Sequence, residues 1–198
     1  RYKTITLPPR ECFDTRTFPS GDKHSEFIVG YVGGMSEAKN VIFVLRTAHA
    51  MRDEKGFRFK IYGKGAELEK LSSYKQSKML ENVSLMGFAD EDMLMQTYDS
   101  FDAFVYPSVK QGPNLPVLDA MARGLPVIIC KGNNLDEEVA KHCLIAKNER
   151  DATRILMDLR ENGYNAEARS RARTFAKRQS WSGVCKETLS VYTQLLKY

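Results

Sequence analysis

FDAFVYPSVKQGPNLPVLDAMARGLPVIIC, residues Phe101–Cys130, reads as strand, loop, helix and strand. An apolar run at Phe101–Tyr106 stops at Pro107, a polar loop follows, and helical spacing of apolar residues starts near Leu115 and ends at Gly124. Val127–Cys130 is a second short apolar run. At the far edge of the loop, Gly112-Pro113-Asn114-Leu115-Pro116 sets a capping residue and a first-turn proline at the helix start. Unpaired backbone amides and a partial positive charge then face whatever lies above, an arrangement that suits phosphate.

The same alternation runs outward in both directions. Phe27–Val32 is an apolar run suited to a strand buried on both faces, closed by Gly33-Gly34. A loop with Ser36, Glu37 and Lys39 follows, and Asn40 precedes a helix with Val41, Val44, Leu45, Ala48 and Met51 at helical spacing. Arg58–Tyr62 reads as a strand ended by Gly63-Lys64-Gly65, Ala66–Tyr74 as a surface helix, and Val83–Met86 as a strand ended by Gly87. Asp90–Ser100 is a helix with an acidic first turn. Beyond the opening stretch come a short acidic helix at Asp136–Lys141, a strand at Cys143–Ala146, and helices at Asp151–Glu161, Ala166–Arg178 and Ser182–Leu196.

Strands alternating with helices predict an α/β fold: a doubly wound, mostly parallel Rossmann-like sheet with right-handed crossovers. In the common strand order 3-2-1-4-5-6, ligands bind beyond the carboxyl ends of the strands, between strands one and four. That rule brings the loops Gly33–Lys39 and Pro107–Leu115 face to face. Gly33 and Gly34 permit close backbone approach, Lys39 supplies a mobile positive charge, and the helix starting near Leu115 supplies oriented amides. Together they predict a phosphate clamp. Residues 1–26 lack periodicity, carry Pro8, Pro9, Pro19 and Gly21, and read as a linker or interdomain arm. Residues 27–180 then form the binding domain, and 181–198 its terminal helix.

Totals narrow the class further. A chain of 198 residues that is 42% hydrophobic can bury one substantial core. No segment has the apolar length of a membrane span and no secretory signal opens the chain, so the expectation is a soluble, cytoplasmic protein. Arg1 rather than methionine at the first position points to a chain cut from a longer one. Cys12, Cys130, Cys143 and Cys185 show no CxxC spacing and read as reduced core thiols. His24, His49 and His142 are scattered, so no metal is expected. A net charge of +5 suits a phosphorylated ligand, but the positive residues are dispersed. The densest basic run, Arg169–Arg178, has the spacing of a solvated helix face, and no aromatic-interleaved basic stripe appears, which sets nucleic acid aside.

The first strand ends Gly30-Tyr31-Val32-Gly33-Gly34, not GxGxxG, and no GxxxxGK(S/T) occurs, which disfavours dinucleotide enzymes and P-loop NTPases. A different pattern is present. Tyr106-Pro107-Ser108, Gln111-Gly112, Leu115-Pro116, Leu118-Asp119-Ala120-Met121-Ala122, Gly124 and Pro126-Val127 follow in order. This run resembles the donor-side signature of retaining GT-B glycosyltransferases of the GT4 type: PS, EGFGLP, LEAMA, GxPV. Val32-Gly33 with Lys39-Asn40, Ile61–Gly65, and Asn82-Val83 with Gly87 are similar to further motifs of that family. Pro126–Val139 aligns with it without a gap and places Glu137 on a family glutamate. Pro8-Pro9, Asp14, Phe18 and Pro19 resemble its interdomain linker, and Ser180-Trp181 its FSW before the last helix.

The resemblance implies two Rossmann-like domains, an amino-terminal one for the acceptor and this chain for a nucleoside diphosphate-sugar donor, with no cofactor or metal. It implies that Lys39 neutralises the donor diphosphate and that backbone around Gly112, Asn114 and Leu115 caps its outer phosphate. Asp119 would hold the ribose hydroxyls, and Gln111 would face the transferring sugar, making Gln111 and Lys39 the catalytic positions. Gly63 and Gly65, with Gly87 and Phe88, would border the base, and Glu137 would be a further donor contact. The acceptor's class, whether glycan, lipid or protein, stays open, and any peripheral membrane association would come through sequence beyond this chain. Three positions depart from the family: its paired glutamates, seven residues apart, are here Gln111 and Asp119, and Gly34 replaces an arginine. Glutamine hydrogen-bonds but carries no charge. Plainer readings stand beside these: Asp119 and Glu137 as helix-dipole charges, Gln111 as a loop residue, and the glycine pairs as turns. For the whole chain the alternatives are a degenerate glycosyltransferase-like subunit and a Rossmann-like interaction domain.

Overall fold

The computed structural model describes residues 26–110, 115–179 and 181–195. Six short strands form its sheet: β1 Phe27–Val32, β2 Phe57–Tyr62, β3 Val83–Gly87, β4 Ala103–Tyr106, β5 Val127–Cys130 and β6 Leu144–Ala146. All pair in parallel, in the order β3-β2-β1-β4-β5-β6, so the expected doubly wound topology is present with its switch point between β1 and β4. β4 and β5 are buried at every residue, as continuous apolar runs require when both faces are covered.

Among the described residues eight α-helices accompany the strands: α1 Ile42–Ala50, α2 Leu68–Ser77, α3 Glu91–Asp99, α4 Leu115–Ala122, α5 Glu137–Ala140, α6 Glu149–Asn162, α7 Ala166–Arg178 and α8 Trp181–Leu195. Several of their starts carry a side-chain cap, whereas those of α1 and α2 have none. Asp90 accepts from the Met93 amide, Asn148 from Asp151 and Asn165 from Ala168. The Asn148 cap starts α6 two residues before the predicted Asp151, and 3.6-residue periodicity alone could not locate it.

Two cores flank the sheet. On one face Val29, Tyr31, Phe59 and Ile61 pack with Val44 and Leu45 of α1 and Leu156 of α6. On the other, Phe104, Tyr106 and Ile129 pack with Leu118 and Met121 of α4 and Ala172 and Ala176 of α7. Phe101 belongs to the second core but not to β4, contrary to expectation. Asp102 accepts the Ile28 amide through its carboxylate at 2.7 Å and donates its own amide to Ile28 at 2.8 Å, so side-chain bonding opens the strand. Phe101 lies over Gly30, where a Cβ would come within 2.2 Å of the ring.

Two further expectations need correction. Asn40 does not cap α1: it has left-handed backbone (φ 48°) and ends a 3-10 turn at Glu37–Lys39, and α1 follows Val41. Cys185 is exposed on α8, so it is not a core thiol, whereas Cys130 is buried and Cys143 partly so; Cys12 lies outside the described residues. Among the described residues no helix is long and apolar enough to cross a membrane.

Candidate functional site

The loops beyond the carboxyl ends of the strands are joined by backbone hydrogen bonds. After β1, the Gly33 amide donates to Tyr62 at 3.1 Å, and the Met35 amide to Lys64 at 2.9 Å. From the loop after β2, Glu67 donates back to Met35 at 2.9 Å and Gly63 to Gly87 at 2.7 Å. The buried Tyr31 hydroxyl donates to the Gly34 carbonyl at 2.8 Å, and burial pushes that phenol's pKa up, keeping it a neutral donor. Only glycine fits this contact at two places: a Cβ on Gly63 would lie 1.8 Å from the Gly33 carbonyl oxygen, and one on Gly65 2.3 Å from that of Met35.

The other side of the switch point is tied on in the same way. The Val109 amide donates to Ala38 at 3.1 Å, and the buried Ser108 hydroxyl donates to the same carbonyl at 3.3 Å. Asn40 Nδ2 reaches the Pro107 carbonyl at 3.4 Å, and Asn134, from the loop after β5, reaches Val109 at 3.0 Å. The predicted meeting of the β1 and β4 loops is therefore made by direct bonds. Lys39 is not the mobile charge expected from its loop position. Its Nζ donates to the Tyr106 hydroxyl at 3.2 Å and sits 5.5 Å from that ring's centroid.

Asp119 lies one turn into α4, facing a buried guanidinium. Arg123 Nη1 is 3.7 Å from Asp119 Oδ1, Arg123 Nε is 3.4 Å from Asp99 Oδ1, and its plane lies over Tyr98 with the centroid 5.0 Å away. Burial raises the pKa of Asp119 to about 6, and Arg123 only partly offsets this. The Tyr98 hydroxyl, buried beside Asp119 and Arg123, makes no hydrogen bond among the described residues, and burial first, then Asp119, push its pKa up.

The structure thus brings Gly33, Gly34, Lys39, Gly63, Gly65 and Gly87 together at one sheet edge. Leu115 opens α4, partly buried. Phe88 is exposed, with Lys64 Nζ 4.5 Å above its ring. Glu137, in the first turn of α5, is exposed and 4.0 Å from Lys141. Gln111, Gly112 and Asn114 lie outside the described residues. The sequence alone assigns no site role to two residues that the structure places there: Tyr106, at the end of the strand beside the switch point, and Arg123, four residues after Asp119 on the same helix face. Among the described residues no group of His, Cys, Asp or Glu is placed to hold a metal ion. Grooves of about 560 and 420 Å³ open beside the α6–α7 turn, lined by residues such as Leu159 and Tyr164; no residue of the β1 or β4 loops lines them.

Comparison with known proteins agrees with this architecture. The chain is 28% identical over 172 residues to the O-antigen chain mannosyltransferase B of Escherichia coli, covering 83% of this chain and 45% of that protein. It spans less than half the length of the curated relatives it matches. A mutant of Staphylococcus aureus TarM, solved with fondaparinux, alpha-GlcNAc-glycerol and UDP, superposes with a TM-score of 0.77 at 22% identity, over 91% of this chain and 38% of that one. The C-terminal domain of a Francisella tularensis glycosyl transferase group 1 family protein superposes with a TM-score of 0.63 at 18% identity, over 89% and 98% of the two chains. These superpositions identify the sheet as one half of a GT-B fold. The family described as "Glycosyl transferases group 1" matches residues 26–162, well over half of the chain, and the chain belongs to that family.

Proposed function

We propose that this chain binds a nucleoside diphosphate-sugar across the β1/β4 switch point and is the donor half of a retaining glycosyltransferase of the GT4 type. Residues 27–198 are the donor domain, residues 1–26 lead into it, and a separate amino-terminal domain holds the acceptor. The observation that carries this reading is the clamp: two loops bonded to each other at the switch point, with the Lys39 ammonium held beside them. Departure of a nucleoside diphosphate develops negative charge, which a fixed cation and the amides at the start of α4 stabilise without calling on a metal. Asp119 holds the ribose hydroxyls and Gln111 faces the sugar. The UDP in the TarM complex is a ligand of this class.

Thermal unfolding of the chain with UDP, GDP, ADP and their sugars tests the reading. One nucleotide class at about a hundred times its dissociation constant stabilises the fold by about 2.7 kcal/mol. No shift with any of them at millimolar concentration overturns it. Gln111, where the family signature has glutamate, supports a second reading in which the site binds donor without transferring it. Restoring the charge with Gln111→Glu in the complete enzyme then gives no gain in turnover, whereas a gain favours catalysis limited by that position.

A further inference from the structure

We propose that Tyr106 is the positioning residue for the donor phosphates, acting through Lys39; this rests on the nucleotide-sugar reading of the site. Tyr106 ends β4 with only 2% of its surface exposed, and its hydroxyl accepts the Lys39 ammonium at 3.2 Å. The lysine is fixed at both ends. Its backbone closes the 3-10 turn, donating to Ser36 at 2.9 Å, and the neighbouring Ala38 carbonyl accepts from both Val109 and Ser108. Its tip is held by the hydroxyl and lies near the face of the same ring.

A solvated lysine would lose rotamer freedom on gripping a phosphate. Here that ordering precedes binding. An ammonium has three protons, so one bond to Tyr106 leaves two for phosphate oxygens. Gly34, in the same loop, has no side chain to share the task. Phenylalanine would fill the same volume in the core, so packing alone does not explain the hydroxyl. Tyr31, the neighbouring buried phenol, plays the matching part for backbone by donating to Gly34.

Isothermal titration with UDP, GDP and ADP, and with the corresponding monophosphates, tests the assignment on wild type, Tyr106→Phe, Lys39→Ala and the double variant. For the diphosphate that binds wild type, Tyr106→Phe weakens affinity about tenfold, the size of one lost hydrogen bond to a charged group. The monophosphate changes less than twofold, and the double variant binds no more weakly than Lys39→Ala. A Tyr106→Phe variant that matches wild type for the diphosphate overturns the proposal. So does a double variant far below Lys39→Ala, which would show that the two residues act separately. Melting temperatures of the four proteins separate loss of fold from loss of the bond, and Lys39→Ala, on a partly exposed turn, supplies a folded reference if Tyr106→Phe unfolds. Absence of any nucleotide binding by wild type is a different result: it removes the nucleotide-sugar reading itself.

Discussion

Asp119 shows how burial and a counter-charge compete at a single carboxylate. Its side chain keeps 21% of its surface exposed, Arg123 sits 3.7 Å away, and the pKa is nevertheless raised from 3.8 to about 6. Desolvation wins because one guanidinium, itself almost wholly buried, is shared between Asp119 and Asp99, whose pKa burial also raises. A raised folded-state pKa means that the native state binds the proton more tightly than the unfolded chain does. The stabilisation is complete below the unfolded value near 4 and is lost as pH rises through about 6. Two pH units set an upper limit of about 3 kcal/mol on the loss. Denaturant titrations of wild type and Asp119→Asn at several pH values should show wild type losing stability relative to the variant between pH 4 and 7; a constant difference would mean that Asp119 titrates normally. Lys39 could be picked from the sequence by its loop position, and Asp119 by the resemblance to the family signature. Their partners could not. Tyr106 looks like any core residue in FVYPS until β4 is placed beside β1, and Arg123 in MARG looks like a solvated helix residue until Asp99 and Tyr98 close over it.

At the scale of the elements, strand ends marked by glycine were legible, and their purpose became visible only in three dimensions. Gly63 is not simply a turn residue: it sits at φ 149° against the Gly33 carbonyl, and its own amide bonds to Gly87, so it joins the loops after β1, β2 and β3. Gly63→Ala must push the loops after β1 and β2 apart as well as strain its own backbone. Its cost should be about 3 kcal/mol or more in urea unfolding, together with weaker nucleotide binding. Gly132→Ala is the control: φ is 80° but nothing lies within 4 Å, so only the backbone cost of about 1 kcal/mol applies. Equal losses in the two variants would show that the contact with Gly33 carries no weight. The 3-10 turn at Glu37–Lys39 escaped the sequence reading for a related reason. Asn40 looks like a helix cap, but its left-handed backbone and its side-chain bond to Pro107 are set by the neighbouring loop, a tertiary partner that local pattern does not contain.

Across the whole molecule, the strand order followed from few rules because each buried run was unambiguous and parallel strands need right-handed crossovers. That topology concentrates every strand-end loop at one edge and leaves the α6–α7 grooves at another place altogether. The loops after β1, β4 and β5 are bonded in series, Ala38 to Val109 and Val109 to Asn134, so a ligand that steadies one of them steadies the others. Hydrogen exchange with and without the nucleotide that stabilises the fold should therefore slow amides in residues 33–41, 107–110 and 131–136 together. Residues 159–165, which line the grooves, should keep their rates. Protection confined to residues 159–165 would relocate the ligand to the α6–α7 turn, and protection of one loop without its neighbours would mean that the bonds between them do not make the edge a single unit.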